Sequence, residues 1–113
     1  MLVVSLCAHK TVYNMRFEWD DNKNESNQRK HNVSFEEAST IFEDDDSLEQ
    51  GAIIKGEKRI IRVGKTATKL ILMVVYALRK AVVRIISARQ AGQSERNAYI
   101  GSKLDQNSDE DES

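Results

Sequence analysis

One apolar stretch near the end of this chain is fenced by cations: "RKAVVRIISARQAGQSERNAYI", Arg79 to Ile100, carries Arg79, Lys80, Arg84, Arg89 and Arg96. A planar guanidinium fork matches the oxygens of a phosphate and stabilises charge that builds on phosphorus. RNA supplies its own nucleophile, the 2′-hydroxyl, so a site that cleaves it can work without a metal. Such a site needs a base for that hydroxyl, an acid for the leaving 5′-oxygen, and cations. Tyr76, Tyr99, Glu57 and His31 are the acid–base candidates near the arginines. No metal-ligand cluster, Gly-rich phosphate loop or Ser-His-Asp pattern is readable, so neither a metal nor a cofactor is expected.

Each candidate also has a structural reading. Arg59 and Arg62 fall on opposite faces of one strand, so one of them is expected to serve solubility or an ion pair. Arg84 shares a face with Ile86 and Ala88, and so must reach water, a carboxylate or a ligand. Arg89 precedes a helix, where a phosphate contact and an ion pair with Glu95 compete. Tyr76 lies in a central strand and suits a core, His31 sits in a helix-ending turn, and Glu57 occupies a hairpin turn.

The elements that must position these groups follow from periodicity. Residues 1–14 fit neither period and read as an N-terminal extension. "MRFEW" alternates as a short strand, with Phe17 and Trp19 opposite Arg16 and Glu18. Asp20 or Asp21 caps a polar surface helix that runs to about Lys30, and Asn32 suits its left-handed C-cap. Ser34 with Glu37 forms a capping box for a second helix that buries Phe35, Ala38, Ile41 and Phe42. The period then changes to two, giving strands at about 48–54, 58–64, 70–78 and 82–88. Short turns make them an antiparallel meander. A last helix from about Gln93 is expected to bury Ala98 and Tyr99. The acidic tail, residues 104–113, reads as disordered. The fold class is α+β: strand, two helices, four-stranded antiparallel meander, helix.

Composition sets the remaining bounds. At 113 residues the chain is one domain, and its formal net charge of −1 hides a separation. Residues 51–104 hold twelve Lys or Arg against Glu57 and Glu95, whereas residues 105–113 hold five acids and no base. The basic half attracts polyanions, nucleic acid first among them. No apolar run spans a bilayer, and "MLVVSLCAHK" lacks the basic flank and cleavage site of a signal peptide. A lone Cys7 suits a reducing cytoplasm, and His9 and His31 are too far apart to pair as ligands.

Five blocks in order resemble one family, the BrnT toxins. They are "FEWD", "KHNVSFEEA", "EKR" leading to "VG", the "VVY" strand, and "RIISARQAGQSERNAY". The resemblance runs over residues 15–103, the expected toxin domain, most strongly from Met15 to Tyr99. It implies a fold similar to RelE-type ribonuclease toxins and a metal-independent endoribonuclease that inhibits translation. It also implies neutralisation by a DNA-binding BrnA-type antitoxin, with operator DNA reached only through that complex. Carried over by motif, Arg59, Arg79, Arg84 and Arg89 become the phosphate and transition-state cations, with His31 or Tyr76 as acid–base groups. Lys30, Lys58, Arg62, Lys80 and Arg96 become RNA contacts. The sequence departs from the family pattern at Asn32, where Gly is usual, in "EDDDS", which lacks Asp-Pro, and in "SLEQGAIIKG", which lacks a His. A non-catalytic nucleic-acid- or partner-binding module on the same fold is the competing reading. A stand-alone DNA-binding repressor lacks a helix-turn-helix signature.

Overall fold

The computed structural model describes the backbone of residues 2–7 and 14–112, with side chains described over residues 15–102. The order is β1 (Leu2–Cys7), β2 (Asn14–Trp19), α1 (Asp21–His31), α2 (Phe35–Ser39), a 3-10 turn (Thr40–Glu43), then β3 (Leu48–Ile54) and β4 (Glu57–Lys65). β5 (Ile71–Arg79), β6 (Val82–Gln90) and α3 (Gln93–Glu112) complete it. The α+β class holds, but the sheet is larger and mixed. It has six strands in the order β1-β2-β6-β5-β4-β3, with β2 parallel to β6 and the other pairs antiparallel.

The antiparallel meander of β3–β6 is as expected; the correction is that β2 and β1 extend it beyond β6. Pairing between β2 and β6 leaves no local trace in the sequence, because strands so far apart share no turn. The reading of residues 1–14 as an extension is corrected in part: Leu2–Cys7 pairs along the outer edge of β2, while residues 1 and 8–13, His9 included, lie outside the described residues. The tail also differs from expectation, because the backbone of α3 stays helical to Glu112. A helix once nucleated gains one hydrogen bond for each residue it fixes.

The capping signals act as read. Asp20 accepts from the N–H groups of Asn22 and Lys23, and Ser34 Oγ accepts from the Glu37 N–H at 3.0 Å. Asn32 adopts φ 58 and donates its N–H to the Gln28 carbonyl. The polar helix α1 is more deeply engaged than its composition suggests. Asn24 and Asn27 are buried, and the Asn27 amide donates to the carbonyls of Ala88 (2.7 Å) and Val33 (2.9 Å) while accepting the Ala88 N–H. Asn27 thus takes the place of a strand along the stretch of β6 that β2 does not reach.

The helices α1 and α2 cover one face of the sheet, the helix face. Phe17, Trp19, Phe35, Ile41, Leu72, Val74 and Ile85 form its core, with edge-to-face contacts from Phe17 to Phe42 and from Trp19 to Phe35. Gly64 lies where the 3-10 turn and the loop after it approach the sheet, since a Cβ there would sit 2.9 Å from Ser47 Cβ and 3.2 Å from Ile41 Cβ. On the opposite face α3 seats Tyr99 against Val63, Ile71 and Ala91. Ala98, expected to be buried, is exposed, because Tyr99 is the α3 residue that packs into this face. The sheet face opposite α1 and α2 is the open face.

Candidate active site

Register decides which arginines meet. Arg84 pairs with Ala77 across the β5–β6 hairpin and with Glu18 on β2. Continuing the β4–β5 register from Ile60↔Tyr76 sets Arg59 opposite Ala77. One row across the open face therefore reads Arg59, Ala77, Arg84, Glu18. The next row, nearer the turns, reads Glu57, Arg79, Val82, Arg16 by the same register. Four guanidiniums thus share a small area with two carboxylates. A small residue, Ala77, separates Arg59 from Arg84.

The ion pairs agree with that placement. Glu57 Oε1 lies 3.7 Å from Arg59 Nε and 4.0 Å from Arg79, and Arg84 meets Glu18 at 2.8 Å. Arg59 and Arg84 keep only about a fifth of their side-chain surface exposed (20% and 17%), so their stems lie along the sheet and cover Ala77. Arg79 stands out at 59%. Arg59 Nε is buried without a hydrogen-bond partner among the described residues. A bound anion would satisfy such a donor.

Both tight turns that hold the rows use left-handed backbone. Lys55 and Gly56 join β3 to β4 with φ 52 and 75, and Lys80 and Ala81 join β5 to β6 with φ 51 and 69. Positive φ at both central positions matches the twist of the flanking strands. Neither Lys80 nor Ala81 is glycine, so the turn between Arg79 and Val82 carries local strain.

A bulge breaks the simple alternation along β6. Val75 pairs with Ser87 but Tyr76 with Ile85, which leaves Ile86 as the extra residue. Ala88 therefore lies on the helix face, away from Arg84, and the expectation that they share a face is corrected. Ser87 stays on the open face, and Lys30 and His31, exposed at the end of α1, border a shallow pocket with Ile86 and Ser87 at the β6 edge.

Other sequence candidates are placed elsewhere. Tyr76 is on the helix face, edge-on to Phe42, and donates its hydroxyl to Glu49. Arg62 stacks over Phe42 at 4.7 Å and donates to the same Glu49 oxygen at 2.6 Å. Burial, then the Glu49 carboxylate, pushes the Tyr76 phenol well above its ordinary value. It therefore stays protonated at neutral pH. Tyr76 and Arg62 are thus separated from the arginine rows by the sheet itself. Lys58 also points to the helix face, beside Ile60 and Leu78.

Arg89 is on the open face but is engaged. Its fork reaches both Glu95 oxygens at 2.9 and 2.8 Å, and Glu95 also accepts the Gly92 N–H at 2.7 Å, capping α3. Hydrogen bonds from Arg89 hold the Glu95 carboxyl below its ordinary value. Tyr99 donates to Asp44 at 2.6 Å, and burial raises its phenol pKa strongly. Asp44 also accepts the Lys65 N–H at 2.8 Å, so the acidic turn ties α3 to the sheet. Lys80 occupies the strained turn, and Arg96 is exposed on α3.

The model of the family described as "Ribonuclease toxin, BrnT, of type II toxin-antitoxin system" matches residues 19–95. The chain belongs to the BrnT family. Among solved structures it is similar to the Brucella abortus ribonuclease toxin BrnT at 21% identity and a TM-score of 0.52. That match covers 68% of this chain and 96% of the toxin, and at such identity it speaks for the fold. No curated protein sequence matches. BrnT membership makes this chain a ribonuclease toxin with RNA as substrate and an antitoxin as partner. No helix among the described residues is long and apolar enough to cross a membrane.

Four residues of the rows escaped sequence reasoning: Arg16, Glu18, Ala77 and Val82. Glu18 and Ala77 enter the arginine row only through pairing across strands. For Glu18 a signal existed: "FEW" places it opposite the buried Phe17 and Trp19, on the face that Arg84 shares.

Proposed function

We propose that the open face, with Arg59, Arg79 and Arg84 around Ala77, is the site of metal-independent endonucleolytic RNA cleavage. The observation that carries this reading is the convergence of three strands' arginines on one patch of the sheet, with Glu57 held between two of them. A scissile phosphate fits over Ala77, between the forks of Arg59 and Arg84, with Arg79 at its solvent side. The 2′-oxygen attacks phosphorus, its proton passes to Glu57, and the 5′-oxygen leaves with a proton from water or from His31. The products are a 2′,3′-cyclic phosphate and a 5′-hydroxyl. Glu18 and Glu57 neutralise part of the cationic row in the free protein, and the phosphate replaces them as counter-charge.

On this reading the frame works as in RelE-type ribonucleases, and RNA cleavage in the cytoplasm stops translation. A BrnA-type antitoxin that covers the cationic face with an acidic segment would silence it. Operator DNA would then be met only by the complex. The test uses purified protein and a short RNA in the presence of EDTA. Cleavage should persist in EDTA, leave a cyclic phosphate, and vanish when one 2′-deoxynucleotide replaces the residue before the cut. Cleavage of the deoxy substrate would contradict the mechanism. RNA binding with no cleavage would favour the non-catalytic module.

A further inference from the structure

Beside the arginine row lies a cleft of about 490 Å³ between α3 and the β3–β4 hairpin. Leu48, Ile61, Val63 and Ala98 are its apolar lining, and Glu49, Gln50, Ser94 and Glu95 are its polar lining. The carboxylates of Glu49 and Glu95 are already engaged by Arg62 and Arg89. Its volume falls within the roughly 300–1,000 Å³ usual for small-ligand sites. Val63 is buried under Tyr99, but Ala98 is exposed, so the helix leaves this gap unfilled.

We infer that this cleft is a nucleobase subsite, taking the base next to the scissile phosphate; the inference rests on the cleavage reading above. Continuity with the arginines is the first argument. Ile61 follows Arg59 on the same face of β4, one same-face step or about 7 Å along the strand. A base whose phosphate sits at Arg59 therefore reaches the cleft without a change in the sheet. Chemistry is the second. A nucleobase has flat apolar faces and a polar edge, matching Ile61, Val63 and Ala98 of the apolar lining and the Gln50 amide and Ser94 hydroxyl of the polar lining. The Gln50 amide both donates and accepts, so it can read one base edge against another. Rigidity is the third. Glu95, next to Ser94, is fixed by Arg89 and by the Gly92 N–H, so the helix wall is held in place.

The test compares cut positions in a pool of short RNAs randomised around the cleavage site. The wild-type protein should prefer certain bases at one position beside the cut. Ala98→Phe, at an exposed helix position, fills the cleft; it should erase that preference and raise KM about tenfold, with a much smaller fall in kcat. Gln50→Leu should change which base is preferred. Arg59→Lys should slow every cut alike and keep the preference. Unaltered preference and KM in Ala98→Phe would overturn the subsite. So would wild-type cleavage by Ala98→Phe combined with loss of antitoxin binding, which would assign the cleft to the protein partner. A shifted preference in Ala98→Phe with undiminished rates in Arg59→Lys would keep the subsite and remove the arginine row.

Discussion

A guanidinium acts according to what already occupies its fork. Arg89 and Arg62 are held by Glu95 and Glu49, whereas Arg79 is largely exposed and meets Glu57 only at 4.0 Å. The residue types were legible in the sequence, since every arginine of the open rows except Arg16 is a candidate there. Some partners were not legible: Glu18 meets Arg84, and Glu49 meets Arg62 on the helix face, across strands. Tyr76 shows the limit most clearly: its place in "VVY" gives no sign of a carboxylate from β3 on its hydroxyl. Tyr76→Phe should therefore cost about 1 kcal/mol of stability, a typical net hydrogen bond, and leave the cleavage rate unchanged. Denaturant melts beside rate measurements check this, and a large rate loss at unchanged stability would return Tyr76 to the site.

Among the elements, strands and caps were readable because their signals are local. β3 to β6 lie within a residue or two of the boundaries expected from alternation, and Ser34, Asp20 and Asn32 cap as their chemistry dictates. The bulge at Ile86 was not readable, since it depends on pairing with Val75 and Tyr76. Nor was the role of Asn27, which looks like any polar helix residue. Asn27→Ala would strand the Ala88 N–H and C=O at the β6 edge, costing roughly 3 kcal/mol. Hydrogen exchange at Ala88 should rise in that variant; unchanged protection would deny that the amide closes this edge. The cap of α3 has a pH signature. Glu95 has a depressed pKa in the fold, so its contribution is present above the ordinary carboxylate value of 4.5 and is lost as pH falls through the folded value. Thermal melts of Glu95→Gln should thus show a flatter loss of stability below about pH 4.5 than the wild-type protein. An identical acid limb would remove Glu95 from the account.

At the scale of the molecule, the charge separation seen in composition becomes spatial: β4–β6 of the basic half present Arg59, Arg79, Arg84 and Arg89 on the face opposite α1 and α2, while Arg62 lies on the helix face. The mixed order of the sheet was beyond the sequence, because β2 and β6 pair across the whole length of α1 to β5. β1 adds a further strand through six paired positions with β2. Deleting residues 2–13 should lower the melting temperature yet leave the cleavage rate of the folded protein close to wild type, because the rows lie on β2 and β4–β6. Loss of cleavage by a folded deletion variant would bring β1 into the site. The central claim, that the open face and not the helix face cleaves RNA, is tested most directly by single-turnover rates of Arg79→Lys and Arg62→Lys. Lysine keeps the charge and loses the fork, and a lost transition-state donor is worth roughly 3 kcal/mol. Arg79→Lys should cleave about a hundredfold more slowly and Arg62→Lys at the wild-type rate; a slow Arg62→Lys beside an unimpaired Arg79→Lys would contradict the account.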